Sequence, residues 1–374
     1  MPEGTQDKLS TLNTRKIHTI QNKMLDWYHK SKRSMPWRNT KDPYLIWISE
    51  IMLQQTQVTT VIPYFEKFKK RFPTVKSLAD ARLDVVLKHW EGLGYYARAR
   101  NLHKAAIIIR DNFSNCFPTT PDEIKQLPGI GRYTVGAIGS IAFGHQMPVL
   151  DGNVIRVLTR LFGIQEDPKS SEINKRLWNI SEQLLPGSDK VGDFNQSLME
   201  LGAIICTPRQ PQCIACPLSK YCMANASGLT DVIPYRKLSR KLPHKVISAG
   251  VIHCHDKVLI TQRPAKGLLG GLWEFPGGKK EQGESLRQCL VRELKEELDI
   301  IVKTESKIMA IDHGYSHFTV TIHFYLCSIL EGTVKKLEVD DFKWVTPKQL
   351  SKYAFPAADQ PIVKWLQENN VSKL

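Results

Sequence analysis

Four cysteines close together constrain this chain more than any other feature of its sequence. Within 17 residues it places Cys206, Cys213, Cys216 and Cys222, with the spacing C-x6-C-x2-C-x5-C. Four thiolates at such a spacing can bind a zinc ion or an iron–sulfur cluster. Disulfides would require an oxidising compartment, which nothing else in the sequence indicates. Zinc sites usually contain two C-x2-C pairs, so the single pair here, with its unequal arms, favours an iron–sulfur cluster.

The composition fits a folded protein with an anionic partner. The 374 residues are 42% hydrophobic, which is enough for two or three packed domains. Lys and Arg outnumber Asp and Glu by 52 to 37, and this net charge of +15 suits a polyanion such as DNA or RNA. The sequence contains no signal peptide and no apolar run of about eighteen residues. We therefore expect a cytoplasmic protein, associated with the nucleoid if its source is bacterial, and no membrane partner.

The apolar periodicity divides the chain into two parts. Residues 1–15 read as a flexible tail, and residues 16–225 show helical spacing between Gly and Pro breaks. Residues 226–245 lose this period and are basic, which is typical of a linker. Residues 246–374 alternate in the manner of strands around one helix. The sequence thus predicts an all-α domain that includes the cysteine loop 206–222, followed by an α+β domain.

Three motifs in the helical part contain residues that could take part in catalysis or binding. The segment WISEIML places Glu50 in an apolar helix, where a carboxylate is costly unless it is paired or protonated. In LPGIGRYT, Gly129 and Gly131 form a turn that opens into a helix, where free N–H groups can bind a phosphate. In LDGN, Asp151 and Asn153 precede another helix. Each motif also has an ordinary explanation, namely a satisfied core carboxylate, a common helix–turn–helix link and a helix N-cap.

In this order, the motifs and the cysteine spacing resemble the helix-hairpin-helix DNA glycosylase superfamily that includes endonuclease III. Further segments look like the MutY family of adenine glycosylases: PWRNTKDPYLIWISEIMLQQTQV, EGLGYYARARNL, LDGNVIRVLTRLF and FNQSLMELGAIICTPRQPQC. The resemblance implies a repair enzyme that excises adenine opposite 8-oxoguanine, and opposite guanine, from double-stranded DNA. We expect a monomer, because two domains of one chain can encircle a duplex. It also implies a 4Fe–4S cluster bound by the four cysteines.

The resemblance implies catalytic roles that agree with the chemistry of the residues. A buried Glu50 would keep its proton and act as the general acid, while Asp151 would stay ionised and face the cationic sugar. Strand-cutting members of the superfamily carry a lysine nucleophile where this chain has Tyr133, so we expect a monofunctional glycosylase that leaves an abasic site. Tyr133 and Asn153 would orient the acid or the water. The alternatives are a bifunctional endonuclease III-like glycosylase/lyase and a non-catalytic iron–sulfur DNA-binding protein.

The resemblance also implies a set of DNA contacts. Extruding adenine from the duplex leaves a gap, which side chains after the Glu50 helix and in the GLGYY turn can fill. Tyr95 and Tyr96 in that turn could equally well belong to a core. Residues matched to these contacts are Gln54, Gln55, Tyr95 and Tyr96 at the gap, and Trp37, Arg38 and Gln196 around the adenine.

The C-terminal part contains a second motif. From Gly278 it resembles the Nudix box of MutT-like pyrophosphohydrolases, except that Asp299 replaces the last glycine. Glu293, Glu296 and Glu297 share one helical face, which could bind magnesium. A solvated acidic helix is the simpler explanation of this run. The box makes retained nucleotide pyrophosphohydrolase activity an alternative function of this domain.

The same C-terminal part contains a loop with the sequence YSH. Its members, Tyr315 to His317, match the loop with which the Nudix-related domain of the MutY family senses the lesion. The resemblance therefore implies that Ser316 contacts 8-oxoguanine.

Overall fold

A computed structural model of the chain describes residues 13–187, 189–235, 237 and 242–369. Residues 1–12 of the predicted tail, and residues 236 and 238–241 of the predicted linker, lie outside this range. Within the described residues, no helix combines the length and the apolar character that crossing a membrane requires.

Contacts divide the chain into two compact units. The first contains Met1–Lys76 and Lys104–Ser239, and the second contains Ser77–His103 and Arg240–Leu374. Residues 77–103 therefore group by contacts with the C-terminal part, although the sequence-based limits place them in the helical domain. The other predicted limits stay predictions.

The chain begins with a long series of helices, as the apolar periodicity predicts. Their bounds are α1 (Thr14–Ser31), α2 (Pro43–Leu53), α3 (Val58–Arg71), α4 (Val75–Ala79), α5 (Leu83–Trp90), α6 (Ala97–Asn112), α7 (Pro121–Lys125), α8 (Arg132–Phe143), α9 (Gly152–Leu161), α10 (Ser171–Gln183), α11 (Val191–Ile204) and α12 (Met223–Ala226). Two short 3₁₀ helices, Cys213–Ala215 and Ser219–Tyr221, lie between the cysteines. The prediction of a helical N-terminal domain is confirmed.

Two helix boundaries differ from the apolar pattern. The apolar pattern predicts a helix over residues 45–57, but α2 ends at Leu53 because Gln54 leaves the helical region, with ψ 110°, and Gln55 is left-handed, with φ 58°. The pattern also predicts one helix over residues 77–90. The structure instead has two helices, because Arg82 is extended at ψ 142° and starts α5 as its N-cap.

The predicted hairpin is present between α7 and α8. Thr120 starts α7 with a capping box, and Gly129 takes the left-handed conformation, with φ 80°, that a side chain would disfavour. Gly131 then caps α8. The hairpin fixes where α8 begins, and Tyr133 lies in its first turn.

Close helix packing positions the segment that carries Asp151. A Cβ on Gly136 of α8 would lie 2.2 Å from the carbonyl oxygen of Pro148, and one on Gly202 of α11 would lie 2.6 Å from Asn153 Cβ. Any side chain at these glycines would push the segment away. Helix α2 also packs against α8, so Glu50 and Tyr133 face each other.

The second unit contains a mixed β-sheet. Its strands are β1 (His244–Cys254), β2 (Lys257–Gln262), β3 (Trp273–Glu274), β4 (Gly277–Lys279), β5 (Ile301–Gly314), β6 (Thr319–Glu331) and β7 (Asp341–Val345). The order is β3-β2-β1-β6-β5, with β4 pairing β1 and β7 pairing β2. Strands β1 and β6 are parallel, whereas β5 and β6 are antiparallel.

Helices cover both faces of this sheet. Successive residues of β6 point to opposite faces, with Phe324 in one apolar cluster and Tyr325 in the other. Helix α14 (Gln360–Glu368) packs into the first cluster and α13 (Leu286–Leu298) into the second. The prediction of an α+β C-terminal domain is confirmed.

Candidate active site

A cleft in the first unit collects the predicted catalytic side chains. Its volume is about 890 Å³. The predicted site residues that line it are Trp37, Arg38, Glu50, Gln54, Gln55, Gly131, Tyr133, Asp151, Asn153 and Gln196. Gly129 lies in the adjacent hairpin turn and does not line the cleft.

Glu50 is buried in α2 and is 6% exposed. Its Oε2 accepts a hydrogen bond of 2.7 Å from the Tyr133 hydroxyl. Burial raises the pKa of Glu50 to about 7; the bond from Tyr133 lowers this pKa, and the charge of Asp151 raises it. Near neutral pH the side chain can therefore hold a proton that it can donate.

Asp151 is the N-cap of α9, so the ordinary capping role is present. Its Oδ1 accepts from the Val154 N–H and its Oδ2 accepts from Asn153 Nδ2, both at 2.8 Å. Burial raises the pKa of Asp151, whereas these two hydrogen bonds and the charge of Arg156 lower it. Burial is the largest of these influences, so the pKa of Asp151 lies above its usual value, although the N-terminus of α9 favours the ionised form.

The surroundings of the two carboxyl groups differ in how well they stabilise a negative charge. Asp151 has two hydrogen-bond donors and a nearby cation, while Glu50 has one neutral donor and a nearby anion. These contacts favour the ionised form at Asp151, and its charge helps Glu50 to keep a proton. Burial and both carboxylates hold the pKa of Tyr133 well above its usual value, so the phenol remains a donor.

Arg156 connects this site to the cysteine loop, and the sequence analysis missed it. Its Nη2 donates to Asn153 Oδ1 at 2.8 Å, and its Nε donates to the carbonyl of Cys206 at 2.6 Å. Asn153 is therefore held between Asp151 and Arg156, with its amide oriented by both.

An ion triad on the opposite wall was also missed. Glu200 is 2% exposed and accepts from Arg33 Nε at 2.8 Å and Arg38 Nη2 at 2.9 Å. Burial raises the pKa of Glu200, but the bonds from both arginines outweigh it and bring the pKa to about 2. Arg38, a predicted pocket residue, thus has a fixed orientation. The signal was available, because Glu200 is a carboxylate in an apolar helix, as Glu50 is.

The four cysteines line one cavity of the first unit, and none forms a disulfide. Beside them Arg160 is 1% exposed and donates to Cys206 Sγ at 3.3 Å and to the carbonyl of Thr207 at 2.7 Å. A buried guanidinium favours a neighbouring negative charge, which thiolate ligands would supply. In the described part of the chain, no three His, Cys, Asp or Glu side chains are arranged to hold a single metal ion.

Two predicted DNA contacts meet in the second unit. Tyr95 is 39% exposed, and its hydroxyl is hydrogen-bonded to the Ser316 hydroxyl. The prediction did not link these residues, which are 221 positions apart. The neighbour of Tyr95, Tyr96, is buried at 4% exposure, so the core explanation holds for that tyrosine.

The acidic face of α13 is also in the second unit. Glu293 and Glu296 each form an ion pair of 3.0 Å with Arg292, and Gly278 provides space for the Glu293 carboxylate. The Oε2 of Glu297 is buried and has no hydrogen-bond partner among the described residues. Burial, followed by the charges of Glu274 and Glu293, raises the pKa of Glu297 to about 8. The magnesium site stays a prediction.

Comparisons with known proteins agree with this architecture. Residues 48–183 match the HhH-GPD superfamily of base excision DNA repair proteins, and residues 248–365 match the NUDIX domain. The human adenine DNA glycosylase is 34% identical over 94% of this chain and 74% of its own length. The enzyme of that name from Buchnera aphidicola subsp. Acyrthosiphon pisum is 37% identical over 92% of this chain and 97% of its own. The chain belongs to the adenine DNA glycosylase family.

A solved structure gives the fold of the helical part independently. A thermostable thymine-DNA glycosylase superposes with a TM-score of 0.53 and 32% identity, and the match covers 57% of this chain and 98% of that one. The matches to the adenine DNA glycosylases extend over both parts of the chain, whereas this structural likeness covers only the helical part.

Proposed function

We propose that this protein removes adenine mispaired with 8-oxoguanine or guanine from double-stranded DNA by hydrolysing the N-glycosidic bond. The observation that carries the proposal is a buried carboxyl group, Glu50, hydrogen-bonded to Tyr133 at 2.7 Å in a cleft that also contains Asp151. Family membership and the net charge of +15 support DNA as the substrate. We further propose that the protein acts as a monomer on DNA in the cytoplasm.

In the proposed reaction, Glu50 donates its proton to the extruded adenine, because the base leaves readily only when one of its nitrogens is protonated. The sugar then becomes cationic, and the anion of Asp151 stabilises it. The side-chain amide of Asn153 orients Asp151 through a hydrogen bond of 2.8 Å, and the Tyr133 hydroxyl orients Glu50. Water completes the hydrolysis.

The cleft supports a monofunctional reaction. A lyase needs an amine that can form a Schiff base with the sugar. Among the described residues that line the cleft there is no lysine. The resemblance matches Tyr133, a phenol, to the lysine with which strand-cutting members of the superfamily form the Schiff base. We therefore propose that the product is an abasic site in an uncut strand.

The remaining predicted residues are assigned to the DNA. Trp37, Arg38 and Gln196 would surround the extruded adenine, and Gln54, Gln55 and Tyr95 would occupy the gap it leaves. Ser316 would contact 8-oxoguanine, and the N–H groups after Gly129 and Gly131 would bind a backbone phosphate.

One assay tests the proposed function. A duplex labelled on the adenine strand, with adenine opposite 8-oxoguanine, is incubated with the protein, and free base and strand scission are measured separately. We expect base release, with scission only after alkali. Scission without alkali would indicate a glycosylase/lyase, and tight binding without either product would indicate a non-catalytic DNA-binding protein.

We also propose that Cys206, Cys213, Cys216 and Cys222 bind a 4Fe–4S cluster. Their common cavity and the buried cation of Arg160 suit a cluster with a net negative charge. The cluster would join the four cysteines of the loop to one another, and Arg156 and Arg160 would attach that loop to α9.

Removing one ligand tests this cofactor. The purified protein is expected to absorb visible light and to contain about four iron and four sulfide per chain. Cys216→Ala is expected to lower the iron content and the thermal midpoint together, while Cys254→Ala, an exposed cysteine outside the loop, changes neither. Stoichiometric zinc without sulfide would contradict the cluster.

For the C-terminal unit, magnesium-dependent nucleotide hydrolysis is a second candidate function. The buried, unpartnered oxygen of Glu297 beside the charges of Glu274 and Glu293 favours a nearby cation. We expect slow turnover of an oxidised nucleoside triphosphate that requires magnesium and is lost in Glu296→Gln, with adenine excision retained. Absence of turnover in the wild type would remove this candidate.

A further inference from the structure

The segment 77–103 makes specific polar contacts with the rest of the second unit. Lys88 Nζ donates to the Tyr353 carbonyl at 2.8 Å, and Arg100 Nη1 donates to the Gly270 carbonyl at 2.6 Å. Between them the packing is tight, because a Cβ on Gly271 would lie only 3.3 Å from a methyl of Leu87. The segment is therefore held at more than one point.

Glu91 makes the most extensive of these contacts. It is the C-cap of α5, and its side chain is 19% exposed. Its Oε1 accepts from the Phe355 N–H at 2.8 Å and from Gln360 Nε2 at 2.9 Å, while its Oε2 pairs with Lys88. Phe355 is buried in the core of the sheet and Gln360 begins α14, so one carboxylate joins the end of α5 to the framework of the C-terminal fold.

The turn after Glu91 has an unusual backbone. Gly92, Gly94 and Tyr95 all have positive φ, at 96°, 70° and 48°. Tyrosine rarely adopts this conformation, so its surroundings must fix it. The Arg98 guanidinium lies 5.5 Å from the centre of the Tyr95 ring, and the Tyr95 hydroxyl bonds to Ser316. Glu91 thus fixes the start of the turn and Ser316 its end.

We propose that Glu91 is a positioning residue that holds Tyr95 beside Ser316, so that the two side chains meet the 8-oxoguanine strand as one preformed surface. The inference rests on the proposed function, which assigns both side chains to DNA. A preformed surface binds without the entropic cost of ordering each contact separately. Without Glu91, Tyr95 and Ser316 would each have to be ordered by the DNA, and the ability to distinguish 8-oxoguanine from guanine would fall.

The test compares kcat/KM for adenine opposite 8-oxoguanine with kcat/KM for adenine opposite guanine, using the full chain. Glu91→Ala is expected to lower this ratio about tenfold. Glu91→Gln keeps an oxygen that can accept from the Phe355 N–H, so this variant is expected to keep most of the wild-type ratio. Gln360→Ala removes one bond only and should change the ratio in the same direction by less. Glu331→Gln, the same charge change at the exposed end of β6, is the matched control and should leave the ratio unchanged.

A double mutant shows whether Glu91 acts through Ser316. Because both changes disturb one surface, Glu91→Ala combined with Ser316→Ala should lower the ratio no further than the more severe single change. Effects that multiply would overturn the inference, as would a lower thermal midpoint with an unchanged ratio. If the wild type releases no adenine, the proposed function fails and the inference fails with it; normal release with an unchanged ratio in Glu91→Ala overturns the inference alone.

Discussion

Glu50→Gln is expected to lower the rate constant of adenine release by about 10³-fold, because general acid catalysis typically contributes about 10²–10⁴-fold. Glutamine has nearly the same shape and can still accept the hydrogen bond from Tyr133, but it has no acidic proton to donate. The rate constant is measured under single-turnover conditions, with saturating protein and a duplex containing adenine opposite 8-oxoguanine. DNA affinity should remain close to that of the wild type.

The stability of this variant separates lost chemistry from lost structure. Because the pKa of Glu50 is raised to about 7 in the folded protein, the unfolded state releases this proton at lower pH than the folded state does. The free energy of unfolding therefore falls as pH rises from about 4.5 to about 7, by at most about 3 kcal/mol for this group. Glutamine does not ionise, so Glu50→Gln avoids this fall in the free energy of unfolding. We therefore expect its thermal midpoint above neutral pH to equal or exceed that of the wild type. A variant that is inactive because it is unfolded would contradict the expectation.

Asp151→Asn is expected to lower the same rate constant by about 10²–10³-fold, because it removes the negative charge assigned to the cationic sugar. Asparagine caps helices about as well as aspartate, so α9 should keep its first turn. The measured quantities are the single-turnover rate constant and the helical content by circular dichroism.

Asp42 offers a matched control for this substitution. It is the N-cap of α2 and accepts from the Tyr44 N–H at 2.9 Å, but it does not line the cleft. Asp42→Asn makes the same change at a helix cap and is expected to keep the rate within about twofold. If Asp151→Asn is equally mild, Asp151 is a cap and nothing more.

The sequence contained enough local information to predict the two folds and the main members of the cleft. Helical periodicity predicted the first part of the chain, and period-two alternation predicted the strands of the second. Glu50 was recognisable because an apolar helix seldom carries a carboxylate without a reason. Tyr133 was recognised through the resemblance, as the residue that stands where strand-cutting members of the superfamily carry a lysine. Each of these signals lies within one short stretch of sequence.

What the sequence did not reveal depends on contacts between distant positions. Glu200 is bonded to Arg33 across 167 residues, and Asn153 is held by Arg156, whose other partner is the carbonyl of Cys206. Charged side chains are usually solvated, so their types alone do not show which of them are buried and paired. Only the packing of α11 against α1 and α9 brings these groups together.

The grouping of residues 77–103 with the C-terminal unit was hidden for a similar reason. The apolar pattern describes α5 as an ordinary amphipathic helix and does not show which surface it covers. A glutamate at the end of a helix is usually solvated. Its bonds to Phe355 and Gln360 join positions more than 260 residues apart, which no local pattern encodes.

The pH dependence of adenine release tests most directly whether Glu50 delivers the proton. We would measure kcat/KM between about pH 5 and about pH 9, because this parameter reports the pKa values of essential groups in the free enzyme. With Glu50 titrating at about 7, kcat/KM should fall about tenfold per pH unit above that pH, and the Glu50→Gln variant should lack this step. A wild-type profile that stays flat through neutral pH, or that keeps rising towards acid without a plateau, would contradict the account.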